Sequence, residues 1–512
     1  MDYVIGHDLG TSTHKAVALA ADGTLRAHAS AALTTESPQP GWAEQDPHAW
    51  WAAVVVTTRA LIASGEINPA AVKAVSFSAQ MQGTLPVDAS GRPLAPAMIW
   101  LDQRAGREAQ EATRGLIRVA GYGPVRFAKW LYLTGGAPAL NGMDPLAKIL
   151  WLRDNRPEIW AQAHKVLDVK DYLLLRCTGR FVTSYDCGNL TWLMNTRTPG
   201  WSKTLLSMVG VPEVKLPELV PCTTVVGGLT PEAANEMGLR PGTPVVAGAG
   251  DVCAMTVGVG ALREEDVHLA VGTSSWITTH VDGRYLDALG YVASMCSAYP
   301  GKNVIVATQQ TAGASVQWVC TQLLGRDTSP ATYAAFDALV ESCEPGAAGL
   351  FFAPWMAGER TPIDDRFARA GLWNLSLGHE TRHVARAVYE GVALNTRWAL
   401  GRVERLAGRR ASELRFAGGG ARSATWCQVL ADVLDRDVLQ MVEPQLAAAR
   451  GAAMIAAHAQ GWAEDFASLA RLAVVARRYR PRPEWRGLYD ERYAAFVDLY
   501  RRQKGWFRRV NG

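Results

Sequence analysis

One short stretch constrains this chain more than any other: His7-Asp8-Leu9-Gly10-Thr11-Ser12-Thr13-His14-Lys15, whose shorter echo returns as Val271-Gly272-Thr273-Ser274-Ser275. Each copy sets Gly-Thr-Ser between two short apolar runs, and each is followed by Asp-Gly, at Asp22-Gly23 and at Asp282-Gly283. Locally, each predicts a strand, a tight turn rich in glycine and hydroxyls, and a second strand closed by a hairpin signal. Glycine admits an anion close to the backbone, and the exposed N–H groups with Thr and Ser hydroxyls make a concave donor site. One such turn says little. Two imply a chain of two halves, each offering a phosphate cradle.

A chain of 512 residues is too long for a single core, so two domains of about 200–250 residues each are expected. The formal net charge of +4 is small for this length and argues against nucleic acid as a partner. Basic residues do gather in Arg477-Arg478-Tyr479-Arg480-Pro481-Arg482 and Arg501-Arg502-Gln503-Lys504, where a solvated helix face and loop are expected, or else a subunit or ligand contact. The eight cysteines include no Cys-x-x-Cys pair, so neither a metal knuckle nor a redox dithiol is expected. Met1-Asp2-Tyr3 runs straight into a predicted strand, so no signal peptide is expected. The most apolar window, Val245 to Leu262, carries Asp251 and four glycines and reads as strand plus loop, not a membrane span. The cytoplasm is the expected location.

Alternation predicts strands at Tyr3–Leu9, Lys15–Ala20, Thr24–Leu33 and Val72–Ser78, with a helix from Pro47 to about Ser64 that has Asp46 as N-cap. The exit loop of the fourth strand, Ala79-Gln80-Met81-Gln82-Gly83, is polar and glycine-ended. Strands alternating with helices point to an α/β fold with ligands at strand ends. Repeated Gly and Pro between Gly227 and Pro244 mark a crossing, after which Val245–Ala249 restarts a strand. Helical patterns follow at 314–324 and 380–407, and again after Gly418-Gly419-Gly420-Ala421, where Trp426, Val429, Leu430 and Val433 share a face.

These residues resemble one family, the FGGY carbohydrate kinases of the actin-like ATPase superfamily, from Asp8 to about Gln460. Besides the two turns, the resemblance rests on Gly41-Trp42-Ala43-Glu44-Gln45-Asp46-Pro47, Trp100-Leu101-Asp102-Gln103-Arg104 and Asp144-Pro145-Leu146-Ala147-Lys148. It continues through Gly248-Ala249-Gly250-Asp251, Gly313-Ala314-Ser315-Val316-Gln317-Trp318, Gly358-Glu359-Arg360-Thr361-Pro362 and the glycine trio. It implies an α/β fold of two ribonuclease-H-like (actin-like ATPase) domains with an interdomain cleft that closes over ligands. Residues 1–244 would bind sugar and carry the first phosphate turn, 245–490 would hold the catalytic Asp and adenosine, and 491–512 would form a helical tail. Gly-Glu-Arg-Thr-Pro and the Gln-Met-x-Gly loop look most like the xylulose kinases, with one departure: Gln82 stands where those usually carry His.

Phosphoryl transfer asks a protein for positioning and charge neutralisation. By resemblance Asp251 takes the proton of the acceptor hydroxyl; a helix N-cap is the plainer alternative. Asp8 would face the magnesium carried by ATP; an exposed strand-end Asp that caps the turn is the plainer alternative. Thr11, Ser12 and Thr13 offer donors to phosphate, and Lys15 either adds a cation or points to solvent. Gly272 and Thr273 form the opposing turn, Gly313 matches the ribose side, and Gly419, Gly420 and Ala421 the adenosine side, although flexible loops use the same residues. For the sugar, the resemblance implies Gln80, Met81, Gln82, Trp100 and Asp102 beside Asp251. Trp100 is otherwise core, and Asp102 otherwise pairs with Arg104 or Arg107. His7 and His14 are expected to serve packing and solvent.

The expected activity is ATP- and Mg2+-dependent phosphorylation of a pentulose such as D-xylulose to the 5-phosphate. Rivals are kinases for ribulose, L-xylulose, erythritol, glycerol or gluconate, a non-kinase actin-like ATPase, and a silent sugar sensor. The partners are sugar and ATP, with neither nucleic acid nor membrane, and a homodimer is left open.

Overall fold

The echo is a repeat of architecture as well as of sequence. In a computed structural model, which describes residues 1–119, 121–287 and 290–512, the chain divides into two units. The first takes Met1–Leu262, Met295–Asn303 and Leu446–Leu472; the second takes Arg263–Ser294, Val304–Gln445 and Ala473–Gly512.

The first unit is built on six strands, β1 (Tyr3–Leu9), β2 (Thr13–Ala20), β3 (Leu25–Ala32), β4 (Val72–Ala79), β5 (Val225–Gly228) and β6 (Pro244–Gly250), in the order β5-β6-β4-β1-β2-β3. β1, β4 and β6 run parallel, β2 and β3 extend the sheet as antiparallel hairpins, and antiparallel β5 closes the other edge. All of β1 is buried, as a central strand covered on both faces must be. One face packs Ile5, Leu9, Ala16 and Ala18 against Trp50 and Val54 of α1 (Pro47–Ala63). That helix starts as its sequence predicts, with Pro47 in its first turn and Asp46 accepting the His48 N–H at 2.9 Å. The opposite face takes the helix Ala447–Ala459, admitted by a residue without a side chain: a Cβ on Gly6 would lie 2.1 Å from the Ala449 carbonyl oxygen. Four further helices carry site residues: α2 (Pro145–Asn155), α3 (Val169–Thr178), α4 (Tyr185–Leu190) and α5 (Asp251–Gly258).

The second unit repeats the plan with β7 (Val267–Val271), β8 (Ser275–Val281), β9 (Leu286–Asp287), β10 (Val292–Cys296), β11 (Asn303–Gln309), β12 (Glu413–Ala417), β13 (Asp437–Met441) and β14 (Val475–Tyr479). Their order is β9-β10-β11-β8-β7-β12-β13-β14. Parallel β7, β12 and β13 answer β1, β4 and β6, while antiparallel β14 answers β5. Its helices include α6 (Gly313–Trp318), which runs on as one wide turn over Val319–Leu323, α7 (Thr381–Ala407), α8 (Ala424–Leu434) and α9 (Arg486–Asn511).

Three expectations need correction. Val245, placed at the start of a second domain, lies in β6, whose parallel pairing with β4 makes it part of the first sheet; Asp251 therefore belongs to the first unit. Residues 491–512 are the body of α9, which buries Phe496, Val497, Tyr500 and Phe507 in the second unit and is no separate tail. The arginine run from 477 begins in an edge strand and not on a helix face, and passes at Arg480 into the expected loop: Arg478 reaches Asp437 at 2.7 Å on the adjacent strand and Glu413 at 2.9 Å on the one beyond. No helix is long and apolar enough to cross a membrane among the described residues.

Candidate functional site

Three parallel strands of the first unit end together, and the register fixes what they present. Asp8 of β1 lies opposite Ser78 of β4, and Ser78 lies opposite Ala249 of β6. Asp251, two residues past Ala249, is thereby delivered to the sheet end that carries Asp8. Between Val246 and Ala249, β6 holds one residue more than β4 opposite it. This bulge sits at Gly248, with φ +67° and a Cβ position only 2.0 Å from the Phe77 carbonyl oxygen.

Asp251 opens α5, and its Oδ1 accepts the Val252 N–H at 2.9 Å. Burial lifts its carboxyl to about 7, with the negative charge of Asp8 adding to the effect. Asp8 is also raised by burial, against the pull of Lys15 and of the Ser78 hydroxyl, which donates to its Oδ1 at 3.0 Å. Lys15 stands opposite Asp8 in the β1–β2 pairing. A carboxyl near 7 is a competent proton acceptor at neutral pH. Asp186 of α4 supports it from behind: its Oδ2 accepts the Gly250 N–H at 2.7 Å, while Oδ1 accepts the Ser184 hydroxyl at 2.5 Å and the Cys222 thiol at 3.3 Å.

The sugar-side residues of the sequence reading are close neighbours with different employments. Gln80 donates to Gln45 Oε1 at 2.7 Å and accepts from the Thr11 hydroxyl at 3.2 Å. That hydroxyl in turn accepts from Trp100 Nε1 at 2.9 Å. Thr11 thus spends its hydroxyl on tying the phosphate turn to both sugar-side loops, whereas Ser12 is exposed and Thr13 half-buried. Met81 is buried against Gly250, where a Cβ would meet its thioether at 2.4 Å. Asp102 pairs with Arg104, the plainer of its two readings: it is fully buried, with Arg104 Nη2 at 2.6 Å and the Ala43 N–H at 2.7 Å. Arg104 also stacks on Trp42, 3.5 Å from the ring centre.

Gln82 is the residue held most firmly. Its backbone is left-handed at φ +67°, a strained conformation for a side chain of this size. Asp168, the N-cap of α3, accepts its N–H at 3.2 Å and that of Gly83 at 2.6 Å. Lys148 of α2, fully buried, donates to the Gln82 carbonyl at 2.9 Å and to the Ile99 carbonyl at 2.6 Å, joining the two sugar-side loops. Burial lowers the Lys148 ammonium to about 8 and raises the Asp168 carboxyl to about 7. The Gln82 amide donates to Asp144 Oδ1 at 2.9 Å.

In the second unit, the residues assigned to the nucleotide converge on the end of β7. Gly313 donates its N–H to the Gly272 carbonyl at 2.9 Å, and Ala312 and Ala314 donate theirs to the Thr273 carbonyl at 2.9 and 3.1 Å. A Cβ on Gly313 would lie 2.4 Å from Gly272 O, one on Gly418 2.5 Å from Val271 O, and one on Gly420 2.8 Å from Val271 Cγ1. Gly419 meets nothing within 4 Å, and the Ala421 carbonyl is anchored by Gln440 Nε2 at 2.7 Å. The helix expected directly after the trio starts at Ala424, with Ser423 as its N-cap accepting the Trp426 N–H at 2.9 Å.

His7 and His14 serve packing, as expected, but neither reaches solvent. Both are fully buried on neighbouring strands, stacked and joined Nδ1 to Nε2 at 3.0 Å, and burial pushes His7 down to about 3. Sequence reasoning gave no role to Asp144, Lys148, Asp168 or Asp186. Asp144 and Lys148 stood in a noticed motif, and the Asp168–Asp171 spacing is that of a capping box, which is present. Nothing local marks Asp186.

Comparison with known proteins identifies the family. The profile of the FGGY family of carbohydrate kinases matches residues 3–258 with its N-terminal domain and residues 268–460 with its C-terminal domain. The chain is 33% identical over 498 residues to xylulose kinase of Escherichia coli (strain K12), covering 97% of this chain and 98% of that one. It is 27% identical over 506 residues to gluconokinase of Bacillus subtilis (strain 168), covering 98% and 96%. The structure of xylulose kinase from Rhodospirillum rubrum aligns with a TM-score of 0.85 at 27% identity, covering 99% of this chain and all of that one. The N-terminal family domain lies within the first unit, the C-terminal one spans most of the second unit together with Met295–Asn303 and the stretch from Leu446 of the first, and the chain belongs to the FGGY family of carbohydrate kinases.

Proposed function

We propose that this kinase transfers the γ-phosphoryl group of ATP to the terminal hydroxyl of a neutral pentulose, D-xylulose being the first candidate, to give the 5-phosphate. The observation that carries the reading is the Asp251 carboxyl, raised to about 7 and placed at the same sheet end as Asp8. As the hydroxyl oxygen bonds to the γ-phosphorus and the bond to the β-phosphate oxygen breaks, the hydroxyl proton passes to Asp251. Ser12, Thr13 and the backbone of Thr11 receive phosphate oxygens, with Lys15 as the nearby cation. In the second unit, Gly272, Thr273, Gly313, Gly419, Gly420 and Ala421 receive the nucleotide. Met81, Gln80 and Asp102 shape the sugar site through Gly250, Thr11 and Arg104, which leaves Gln82, Trp100 and Asp251 as the groups that meet the sugar.

No group of three or more His, Cys, Asp or Glu side chains forms a metal cage among the described residues. A magnesium ion arriving on the phosphates needs only one or two carboxylates besides water, and Asp8 fits that requirement. When bound, the ion neutralises charge on the transferring phosphoryl group.

The cations favour a neutral sugar. A carboxylate substrate such as gluconate wants a cation in reach, and Lys148 spends its ammonium on two carbonyl oxygens while Arg104 is paired with Asp102 and Glu44. Gln82 is bonded instead to two acids, Asp144 through its side chain and Asp168 through its backbone N–H. The test is an ADP-release assay across D- and L-pentuloses, hexuloses, polyols and aldonates. A pentulose should give the highest kcat/KM. Preference for gluconate, or ATP hydrolysis indifferent to added sugar, would overturn the proposal.

A further inference from the structure

Asp144 occupies the N-cap position of α2, yet its side chain makes no capping bond to that helix. It is 5% exposed and turned elsewhere. Oδ2 accepts the Ala139 N–H at 2.6 Å and the Trp192 Nε1–H at 2.8 Å, and Oδ1 accepts from the Gln82 side-chain amide at 2.9 Å. A carboxylate can only accept, so the end of the Gln82 amide that faces it must be the NH2 and never the carbonyl. We infer that Asp144 is a positioning residue for specificity: it fixes the Gln82 amide one way round, so that Gln82 presents its carbonyl oxygen to the sugar. The inference rests on the reading that Gln82 meets the sugar.

A free glutamine would be a poor discriminator, since its amide can turn over and satisfy either a donor or an acceptor. Here Asp144 removes that freedom, on a main chain that two other groups hold in place. Asp168 holds the backbone N–H, Lys148 holds the carbonyl, and Asp144 holds the NH2 of the side chain. What is left is an acceptor, which demands a hydroxyl donor at one sugar carbon. A substrate with no donor there leaves a desolvated oxygen without a partner, the arrangement that rejects analogues most strongly.

The polarity can be reversed without changing shape. In Asp144→Asn, the side-chain oxygen must remain at the Ala139 and Trp192 donors, because an NH2 there would face two N–H groups. The new NH2 then faces Gln82, whose amide must turn over to meet it. The Gln82 NH2 becomes the group shown to the sugar.

The experiment compares D-xylulose with those of its monodeoxyfluoro analogues that keep the 5-hydroxyl, since fluorine accepts weakly and never donates. In wild-type enzyme one analogue should show a kcat/KM deficit far beyond the others. In Asp144→Asn that deficit should shrink at least about tenfold, with KM for ATP unchanged. A folded Asp144→Asn enzyme that keeps the wild-type pattern of deficits overturns the inference. Gln82→Met separates the two layers of the argument. If it too leaves the pattern alone, Gln82 does not meet the sugar and the reading of the pocket falls as well; if it erases the singular deficit while Asp144→Asn does not, only the orientation falls. Should Asp144→Asn fail to fold, 15N-glutamine labelling gives a second reading. Difference spectra against Gln82→Met identify the Gln82 amide pair, one proton of which should be shifted downfield and slow to exchange. An unshifted, rapidly exchanging pair overturns the inference.

Discussion

The two units share a strand plan and differ at the strand ends. Where β1 and β2 set Asp8 opposite Lys15, β7 and β8 set Ala270 opposite Trp276. The first turn has one residue more than the second: Leu9 pairs with His14, whereas Val271 pairs with Ser275. β6 runs into Asp251, and its counterpart β13 runs into Val442. The second unit has glycine where backbone must pass backbone, at Gly313 and Gly418. Close backbone packing at glycine is common to both copies, at Gly6 and Gly248 in the first as at Gly313 and Gly418 in the second; the charged strand ends belong to the first alone. The frame supplies places at strand ends; the residues put there supply the chemistry.

The sharpest way to break this contrast is to neutralise the acid of the first unit. Asp251→Asn should lower kcat by about 10²–10⁴-fold, with the affinities for sugar and ATP retained. In the wild-type enzyme, kcat/KM for the sugar should rise with pH through about 7 as Asp251 loses its proton. Stability should move the opposite way. The folded carboxyl titrates above its unfolded value of 3.8, so its contribution is complete below about pH 4 and is lost as the pH rises through about 7. Asp251→Asn should therefore be the more stable protein at pH 8, by about 2–4 kcal/mol, and the gap should close towards pH 4. Thermal melts at the two pH values check this; a variant less stable than wild type at pH 8 would remove the case for a strained acid.

The second unit is broken through its glycines. Gly313→Ala puts a methyl group 2.4 Å from the Gly272 carbonyl oxygen, and backbone on backbone has no flexible end to give way. The turn must shift, which should raise KM for ATP about tenfold and cost about 1–3 kcal/mol of stability. KM for the sugar should stay within experimental error. Equal changes in both KM values would show that the glycine serves the whole fold and not the nucleotide.

Much of this was legible in the sequence, and the limit of legibility is physical. Strands β1 to β4, α1 with its Asp46 cap, and both Gly-Thr-Ser turns are written in local alternation and local chemistry. Contacts between distant residues carry no such signature. Gly250 and Asp186 are 64 residues apart, and Gln82 and Asp144 are 62 apart. The return of Leu446–Leu472 to the first unit depends on a helix finding Gly6, which no window of sequence displays. The arginines from 477 misled because charge density on an edge strand looks like charge density on a helix face. His7 and His14 sit one on each side of the turn, and only the β1–β2 register brings them together.

A smaller effect is expected at Asp186, which acts on Asp251 through one backbone N–H. Asp186→Ala leaves the Gly250 N–H without its acceptor beside the base, and should lower kcat about tenfold, the equivalent of roughly 1.4 kcal/mol, with little change in KM. Asp186→Asn keeps an oxygen for Gly250 and can offer its NH2 to the Ser184 hydroxyl, so it should restore most of the loss. Failure of the Asn variant to restore kcat would mean that the charge of Asp186 matters and its hydrogen bond does not.

The smallest change is expected at Gln82. Histidine there would lose the amide that Asp144 holds, but it keeps a ring N–H able to donate to the same Oδ1 and leaves its other nitrogen towards the sugar. The backbone clamps from Asp168 and Lys148 are unaffected, since they grip main-chain atoms. Gln82→His should therefore alter kcat/KM ratios among pentuloses by a few-fold, about 3–10, with D-xylulose gaining, while KM for ATP stays fixed. The decisive quantity is the ratio across the sugar panel rather than any single rate. If every sugar changed by one common factor, the side chain would be a structural support, and discrimination would have to be sought at Trp100. If only the ATP term moved, the separation of chemistry between the two units would itself be in error.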